Sequence, residues 1–120
     1  KHVKTLSEYL SFFDRHVVQE MSPQNCRRKM KRVNSNLLDC KLRNTFLFDP
    51  DNKLRSICLS GQLEVTVTVN KMVNCIHDRI SEYPNCGYNG QYDYDKDFKI
   101  TCESGMPWHL ERAPRTNNGG

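Results

Sequence analysis

Apolar and polar residues alternate along the chain with two periods, first the period of a helix and later the period of a strand. Near the N-terminus apolar residues recur at steps of three and four, which predicts an amphipathic helix with a histidine on or beside its apolar face. The members of this stripe are Leu6, Tyr9, Leu10, Phe13, His16 and Val17. Farther along, "LEVTVTV" from Leu63 to Val69 alternates strictly and predicts a β-strand.

The remaining segments keep this order, with helices before strands. Ser22 and Pro23 are typical of a helix N-cap and first turn, so a second helix is predicted through "QNCRRKMKRV". "PDNKLRSIC" predicts a turn into a short helical segment. The turn-rich stretch "YPNCGYNGQYDYDKD" is predicted to separate two of the later strands. The further strand candidates are "RNTFLF", "KMVNCIHDRI", "FKITCES" and "MPWHLE". Helices followed by strands predict an α+β fold.

The length of the chain sets the number of domains. We assign residues 1–120 to a single domain, because 120 residues are enough for one domain and too few for two. The polar segment 112–120 ends in two glycines and is predicted to be a flexible tail. The sequence begins with Lys1 and not with an initiating Met, as a chain would after removal of a signal peptide. No apolar run in it is long enough to cross a bilayer. A secreted, extracellular protein is expected.

Cysteine usage supports that expectation. Only 37% of residues are hydrophobic, so the core is small and is expected to need covalent support. An even number of well-spaced cysteines in a short chain predicts three disulfides and an oxidising compartment, against the alternative of free or metal-bound thiols in the cytosol. Six cysteines allow fifteen pairings, and spacing alone does not choose among them. The cysteines are Cys26, Cys40, Cys58, Cys75, Cys86 and Cys102.

Positive charge is concentrated in one part of the chain. Between Cys26 and Arg55 the sequence has nine Lys or Arg and three Asp, so this segment carries +6 of a chain whose total is +4. A local positive field on a secreted protein indicates a polyanionic partner such as RNA, heparan sulfate or an anionic membrane. The alternative is a solvated helix face. The basic patch of the second helix consists of Arg27, Arg28, Lys29, Lys31 and Arg32.

Four short motifs carry a resemblance to a known family. "FFDRH", "CKLRNTF", "YPNC" and "MPWHLE", with the six cysteines between them, resemble the vertebrate secreted ribonucleases of the pancreatic ribonuclease superfamily. The likeness runs from about Leu6 to Glu111. Three disulfides, the seven-residue step from Cys102 to His109 and the short segment "LSGQ" are similar to the angiogenins and to several fish ribonucleases.

The resemblance implies a fold and a disulfide pattern. The family fold places N-terminal helices on a curved antiparallel sheet. The implied disulfides are Cys26–Cys75, Cys40–Cys86 and Cys58–Cys102. In the family the tyrosyl-prolyl bond of the "YPNC" turn is cis, so the Tyr83–Pro84 bond is expected to be cis.

The resemblance also implies metal-independent cleavage of RNA, with no cofactor. Such cleavage needs a base for the 2′-hydroxyl, an acid for the departing 5′-oxygen, and a cation for the charge that develops on the phosphate. By resemblance His16 is the base, His109 is the acid and Lys41 is the cation. Cys40, directly before Lys41, would fix the backbone of that flexible side chain. The expected reaction passes through a 2′,3′-cyclic phosphate.

Substrate contacts are implied by the same motifs. Thr45 resembles the family residue that pairs with a pyrimidine through its hydroxyl and backbone N–H, and Glu103 the residue that contacts the base on the leaving-group side. Arg15 replaces a Gln that contacts phosphate, and Glu111 lengthens the carboxylate that orients the acid imidazole. The candidates for substrate binding are Arg15, Asn44, Thr45, Glu103, Leu110 and Glu111.

Several positions depart from the family pattern or have no match in it. Arg112 stands where angiogenins have a Gln that obstructs the pyrimidine pocket, and Asn74 where an Asp often tunes Thr45. Trp108 replaces a smaller apolar residue, which places it either in the core or beside the cleft. These departures bear on efficiency and base preference. His2 and His77 match no family position and are interpreted as surface residues.

Two alternatives to a pure enzyme remain open. The first is a cationic signalling or host-defence effector with weak ribonuclease activity, because "RRKMKR" resembles the basic helix of angiogenins, which combine nuclease activity with growth signalling and nuclear entry. Its candidate partners, beyond RNA itself, are ribonuclease inhibitor, heparan sulfate, an anionic bacterial surface and a cell-surface receptor. The second is a disulfide-rich cytokine, which leaves the His–Lys–His set unexplained. A monomer is expected.

Overall fold

The computed structural model describes residues 11–113, which form an α+β fold. His2 and the predicted helical residues before Ser11 lie outside the described part of the chain. The helices are α1 (Phe12–His16) and α2 (Cys26–Leu37), with 3-10 turns at Pro23–Asn25 and Lys53–Ser56. The strands are β1 (Val17–Val18), β2 (Arg43–Phe48), β3 (Glu64–His77), β4 (Tyr88–Glu103) and β5 (Met106–Arg112).

Both helices begin where the sequence supplies a cap. At α1 the Ser11 side chain accepts the Asp14 N–H at 3.1 Å, which satisfies a donor that the first turn leaves free. At its other end Val17, which the apolar stripe assigned to the helix, is extended and belongs to β1. The predicted Ser22–Pro23 start is confirmed as a 3-10 turn that leads into α2. This helix runs four residues beyond the predicted segment and ends at Leu37.

The five strands form one sheet in the order β1-β2-β3-β4-β5. Every neighbouring pair is antiparallel except β1 and β2, whose two-residue contact is parallel. "RNTFLF" is β2 as predicted, while "LEVTVTV" and the first part of "KMVNCIHDRI" join into the single long strand β3. The strand prediction is therefore confirmed for both segments, but their continuity as one strand was not predicted.

The turn-rich reading of "YPNCGYNGQYDYDKD" is wrong for most of that segment. From Tyr88 onward it forms the first half of β4, paired with β3 from His77↔Tyr88 to Val69↔Lys96. Gly90 explains part of the composition, because a Cβ there would collide with the Pro23 carbonyl oxygen and with Cys26 Sγ. The glycine permits a close approach of strand to helix and does not mark a turn.

Alternate residues of the central strands enter two separate cores. Leu47 and Met72 pack with Phe12 into the first core, whereas the adjacent Phe46 and Val73 pack into the second core. This division follows from the two-residue period of a strand, which sends neighbouring side chains to opposite faces. The second core is closed by the buried face of α2, whose apolar residues are Cys26, Met30 and Val33.

The disulfides and the "YPNC" turn agree with the resemblance. The bonds are Cys26–Cys75, Cys40–Cys86 and Cys58–Cys102, and the Tyr83–Pro84 peptide bond is cis. The disulfides close loops of 44 to 49 residues, each of which removes about 4 kcal/mol of unfolded-chain entropy on the loop-closure model.

The end of the described chain differs from the prediction. Arg112, which the sequence assigned to a flexible tail, is the last residue of β5, and the Ala113 N–H donates to the Asp97 carbonyl at 3.0 Å. Residues 114–120 lie outside the described part. Within residues 11–113 no helix is long and apolar enough to span a membrane.

Candidate active site

His16 lies at the end of α1 and is 6% exposed. Its Nδ1 is 2.9 Å from the Thr45 carbonyl oxygen on β2. Because a carbonyl can only accept, Nδ1 carries the proton and Nε2 of the neutral ring keeps its lone pair. The helix and the sheet thus fix the tautomer that a general base requires.

The electrostatic surroundings of His16 favour this neutral form. Burial, followed by the positive charges of Lys41, Arg15 and His109, lowers the pKa of His16 to about 4, although the Thr45 carbonyl opposes the shift. At neutral pH the ring is therefore unprotonated and able to take a proton. The Arg15 side chain donates to the Trp108 carbonyl, a contact that joins the chain directly before His16 to the strand residue directly before His109.

Lys41 is held through both its side chain and its backbone. Its Nζ donates to Asn44 Oδ1 at 2.8 Å, and the Asn44 amide nitrogen donates to the Arg15 carbonyl at 2.7 Å. Asn44 is 4% exposed, so its side chain joins Lys41 to α1. Burial and then the charge of Arg15 lower the pKa of Lys41. A lysine placed beside His16 in this way is suited to stabilise negative charge on a phosphate.

Two residues that the sequence did not indicate hold the backbone of Lys41. The Lys41 N–H donates to Asn34 Oδ1 at 2.9 Å, and the Tyr88 hydroxyl donates to the Lys41 carbonyl at 2.6 Å. Asn34 Nδ2 also donates to the Tyr88 oxygen at 3.0 Å. Together with the neighbouring Cys40–Cys86 disulfide, these bonds tie Lys41 to α2 and β4. The weak sequence signal was a polar Asn34 on the apolar side of an amphipathic helix.

His109 lies on β5, opposite Thr101 of β4, and is exposed. Glu111, two residues on, forms an ion pair with Lys99 at 2.8 Å, and this hydrogen bond lowers the pKa of Glu111, with a smaller contribution from His109. The direct partner of Glu111 in this structure is thus Lys99. Leu110 between them packs against the first core.

Arg15 and Trp108 lie together at the edge of the site. Arg15 Nη2 donates to the Trp108 carbonyl at 2.8 Å, and its guanidinium lies 6.0 Å from the centre of the indole ring. Trp108 is 46% exposed, which places it beside the cleft and not in the core. Arg15 adds a second positive charge to the site beside Lys41, and this charge lowers the pKa of both His16 and Lys41.

A cavity of about 400 Å³ lies next to the catalytic candidates. Thr45 Oγ1 donates to Asn74 Oδ1 at 2.7 Å, Asn74 Nδ2 donates to Asp93 Oδ2 at 3.2 Å, and Arg112 Nη2 donates to the same oxygen at 3.2 Å. Asp93 was missed because it falls in the segment predicted as turn. The cavity is lined by Arg43, Asn44, Thr45, Asn74, Cys75, Ile76, Asp93 and Arg112.

The other predicted positions lie outside this centre. Glu103 is exposed at the end of β4. The patch residues of α2 are exposed except for the half-buried Lys29, and Arg32 pairs with Asp14 of α1 at 3.4 Å. His77 is a correction: its side chain is only 9% exposed, and its Nε2 lies 3.0 Å from the Ser81 carbonyl. It stabilises the loop after β3 and is not a surface residue.

Comparison with known proteins shows the family of the chain. The family described as "Pancreatic ribonuclease" matches residues 7–111. The chain belongs to the pancreatic ribonuclease family. It is 26% identical to angiogenin of Saimiri sciureus, over 89% of this chain and 79% of that protein. It is 30% identical to the pancreatic alpha-type ribonuclease of Rattus fuscipes, over 75% of this chain and 67% of that protein.

Solved structures of ribonucleases have the same fold. SS-RNase-2 des116-120 is 31% identical with a TM-score of 0.68, covering 85% of this chain and 95% of that one. Green turtle egg white ribonuclease is 26% identical with a TM-score of 0.67, covering 89% and 98%. As a pancreatic-type ribonuclease the protein is an endoribonuclease that acts on RNA. Membership of this family and the three disulfides indicate an extracellular location.

Proposed function

We propose that this ribonuclease cleaves RNA on the 3′ side of pyrimidines by metal-independent transphosphorylation. His16 Nε2 takes the proton of the 2′-hydroxyl, whose oxygen attacks the adjacent phosphorus. His109 protonates the departing 5′-oxygen, which leaves a 2′,3′-cyclic phosphate. Lys41, assisted by Arg15, stabilises the charge on the non-bridging oxygens. The proposal rests on the buried, neutral His16, whose tautomer is fixed by Thr45 and which lies near the two cations.

The reaction is tested with the dinucleotides UpA, CpA and ApA in the presence of EDTA. UpA and CpA are expected to be cleaved and ApA to be cut far more slowly, with the cyclic phosphate as the first product. Cleavage abolished by EDTA, or equal cleavage of ApA, would contradict the proposal.

Substitutions separate the roles of the three residues. His16→Ala and His109→Ala should each lower kcat/KM by roughly a hundred- to ten-thousand-fold, the usual effect of losing a positioned base or acid. Lys41→Ala should reduce it at least a hundred-fold, because it removes charge stabilisation at the phosphate. Lys53→Ala, an exposed lysine on the 3-10 turn, is the matched control. Near-normal turnover of folded His16→Ala would refute the assignment of the base.

A second candidate function is that of a cationic effector with angiogenic or antibacterial action. Four exposed cations on α2, Arg27, Arg28, Lys31 and Arg32, and the similarity to angiogenin support it. Its partners would be heparan sulfate, an anionic bacterial surface, a cell-surface receptor or ribonuclease inhibitor, and nuclear entry would follow uptake. His109→Ala protein that still stimulates endothelial cells or kills bacteria would favour this function, whereas loss of both effects with nuclease activity would exclude it.

A further inference from the structure

The donor and acceptor of each hydrogen bond around Asp93 are fixed by the groups that Asp93 contacts. Asp93 Oδ1 accepts the Tyr94 N–H at 2.9 Å and lies 4.0 Å from Lys96 Nζ, while Oδ2 accepts Arg112 and Asn74. Burial raises the pKa of Asp93, but these hydrogen bonds and the charge of Lys96 outweigh it, so the pKa lies below its usual range. The group is a carboxylate, which can only accept hydrogen bonds.

This acceptor fixes the next two groups along the chain of bonds. Asn74 must direct its NH₂ toward Asp93 and therefore presents its amide oxygen to Thr45. An amide oxygen cannot donate, so the Thr45 hydroxyl gives its only proton to Asn74 at 2.7 Å. A base that contacts Thr45 Oγ1 from the cavity thus meets lone pairs and no proton.

We propose that Arg112, Asp93 and Asn74 form a relay that makes Thr45 selective for uracil over cytosine. At neutral pH uracil carries a proton on N3 and donates there, whereas N3 of cytosine is an unprotonated acceptor. Only the uracil N3–H can pair with the lone pairs that Thr45 presents. The inference rests on the proposed function, because it refines which pyrimidine that site accepts.

Besides its hydrogen bond to Asp93, Arg112 forms part of the cavity wall. Its guanidinium is bonded to Asp93 and lies 5.5 Å from the centre of the buried Phe98 ring. It therefore lines the wall of the cavity while its charge keeps Asp93 ionised and in place. In this arrangement Arg112 is a specificity residue acting through Asp93, Asn74 and Thr45.

The test measures binding of uridine 3′-phosphate and cytidine 3′-phosphate by calorimetry at pH 7.5, together with kcat/KM for UpA and CpA. The protein should favour the uracil ligand and substrate several-fold. In Asp93→Asn the residue at 93 can offer an oxygen or an NH₂, which frees Asn74 to turn over and frees the Thr45 proton for cytosine. Both uracil-to-cytosine ratios should fall by roughly two- to tenfold, the effect of one hydrogen bond.

The control makes the same chemical change four residues along β4. Asp97 accepts the Thr68 hydroxyl at 2.6 Å on the same strand, and Asp97→Asn should leave both ratios unchanged. In a Thr45→Val background, Asp93→Asn should no longer alter either ratio, because no hydroxyl at residue 45 remains to be oriented. A merely structural effect of Asp93→Asn would still alter the ratios. Should Asp93→Asn fail to fold, Asn74→Ala is the second variant. It removes the oxygen that accepts the Thr45 proton and should lower both ratios similarly.

The two readouts distinguish failure of the relay from failure of the proposed function. If the uracil preference in binding is present but neither dinucleotide is cleaved, the proposed reaction is wrong and the relay stands. Equal or tighter binding of cytidine 3′-phosphate, or binding of neither nucleotide, would overturn the relay. So would ratios that Asp93→Asn does not change in a folded protein.

Discussion

At the scale of single residues, the chemistry depends on how one arginine changes its neighbours. Arg15 occupies the position before His16, and its charge lowers the pKa of both His16 and Lys41. Burial makes the larger contribution to each shift, so a reduced pKa of His16 follows from the fold and Arg15 extends it. A base with a low pKa stays unprotonated in mildly acidic solution.

The pH profile should report that charge. The acid limb of kcat/KM against pH reflects protonation of the free base, so it should lie near pH 4, below the ordinary histidine range. Arg15→Gln removes a cation, raises the pKa of His16 and should move this limb to higher pH. Arg55→Gln, whose guanidinium lies over Phe13, is the control and should leave the limb in place. An unmoved limb in Arg15→Gln would show that Arg15 does not contribute to the shift.

The same histidine links stability to pH. The folded pKa of about 4 lies below an unfolded value of about 6.5, so between these pH values the unfolded chain binds a proton that the folded protein does not. The free energy of unfolding should therefore decrease as the pH falls from about 6.5 to about 4. Between pH 7 and pH 4.5 the protein should lose about 2 kcal/mol more than His16→Gln in urea titrations. Equal losses would contradict the buried, neutral state of His16.

At the scale of elements, the site is a junction at which α2, β2 and β4 hold one lysine. The Tyr88 hydroxyl on β4 donates to the Lys41 carbonyl and accepts from Asn34 Nδ2 of α2. Tyr88→Phe should therefore lower kcat several-fold with little change in KM, and reduce the free energy of unfolding by about 1 kcal/mol. Tyr92→Phe removes the same group from an exposed position of β4 and serves as the control. A fall in stability without a fall in kcat would assign Tyr88 a purely structural role.

The elements also show what the sequence could and could not predict. "CKLRNTF" indicated β2, Lys41 and Thr45 because a motif joins adjacent residues, and the strict alternation of "LEVTVTV" indicated β3. The second half of β4 was predicted by "FKITCES", whereas its first half was missed because it is rich in Asp, Asn, Gln and Lys, and because Gly90 looks like a turn residue until the contact with Pro23 is known. Asn34, Tyr88 and Asp93 act through partners distant in sequence, so their roles follow only from the packing of β4.

At the scale of the whole molecule, two small cores and three disulfides support a surface with a strong asymmetry of charge. Each core contains at least one disulfide, Cys58–Cys102 in the first and Cys26–Cys75 in the second. Covalent support of this kind permits α2 to expose most of its basic patch while its opposite face closes the second core. The α2 helix thus contributes to the charged surface with one face and to the core with the other.

The basic face of α2 should reveal itself in the salt dependence of cleavage. If Arg27, Arg28 and Lys31 contact the backbone of a long RNA, each contact releases counterions, and log kcat/KM on poly(U) falls with log salt concentration. Replacing all three with Ser should reduce the magnitude of that slope by about 2, at about 0.7 per contact on a single strand, and should leave UpA cleavage unchanged. The matched control replaces three exposed cations elsewhere, Lys53, Arg55 and Arg79, for the same change in net charge. An equal loss of slope in the control would mean that only net charge matters, and an unchanged slope in the α2 variant would remove this face from the RNA path.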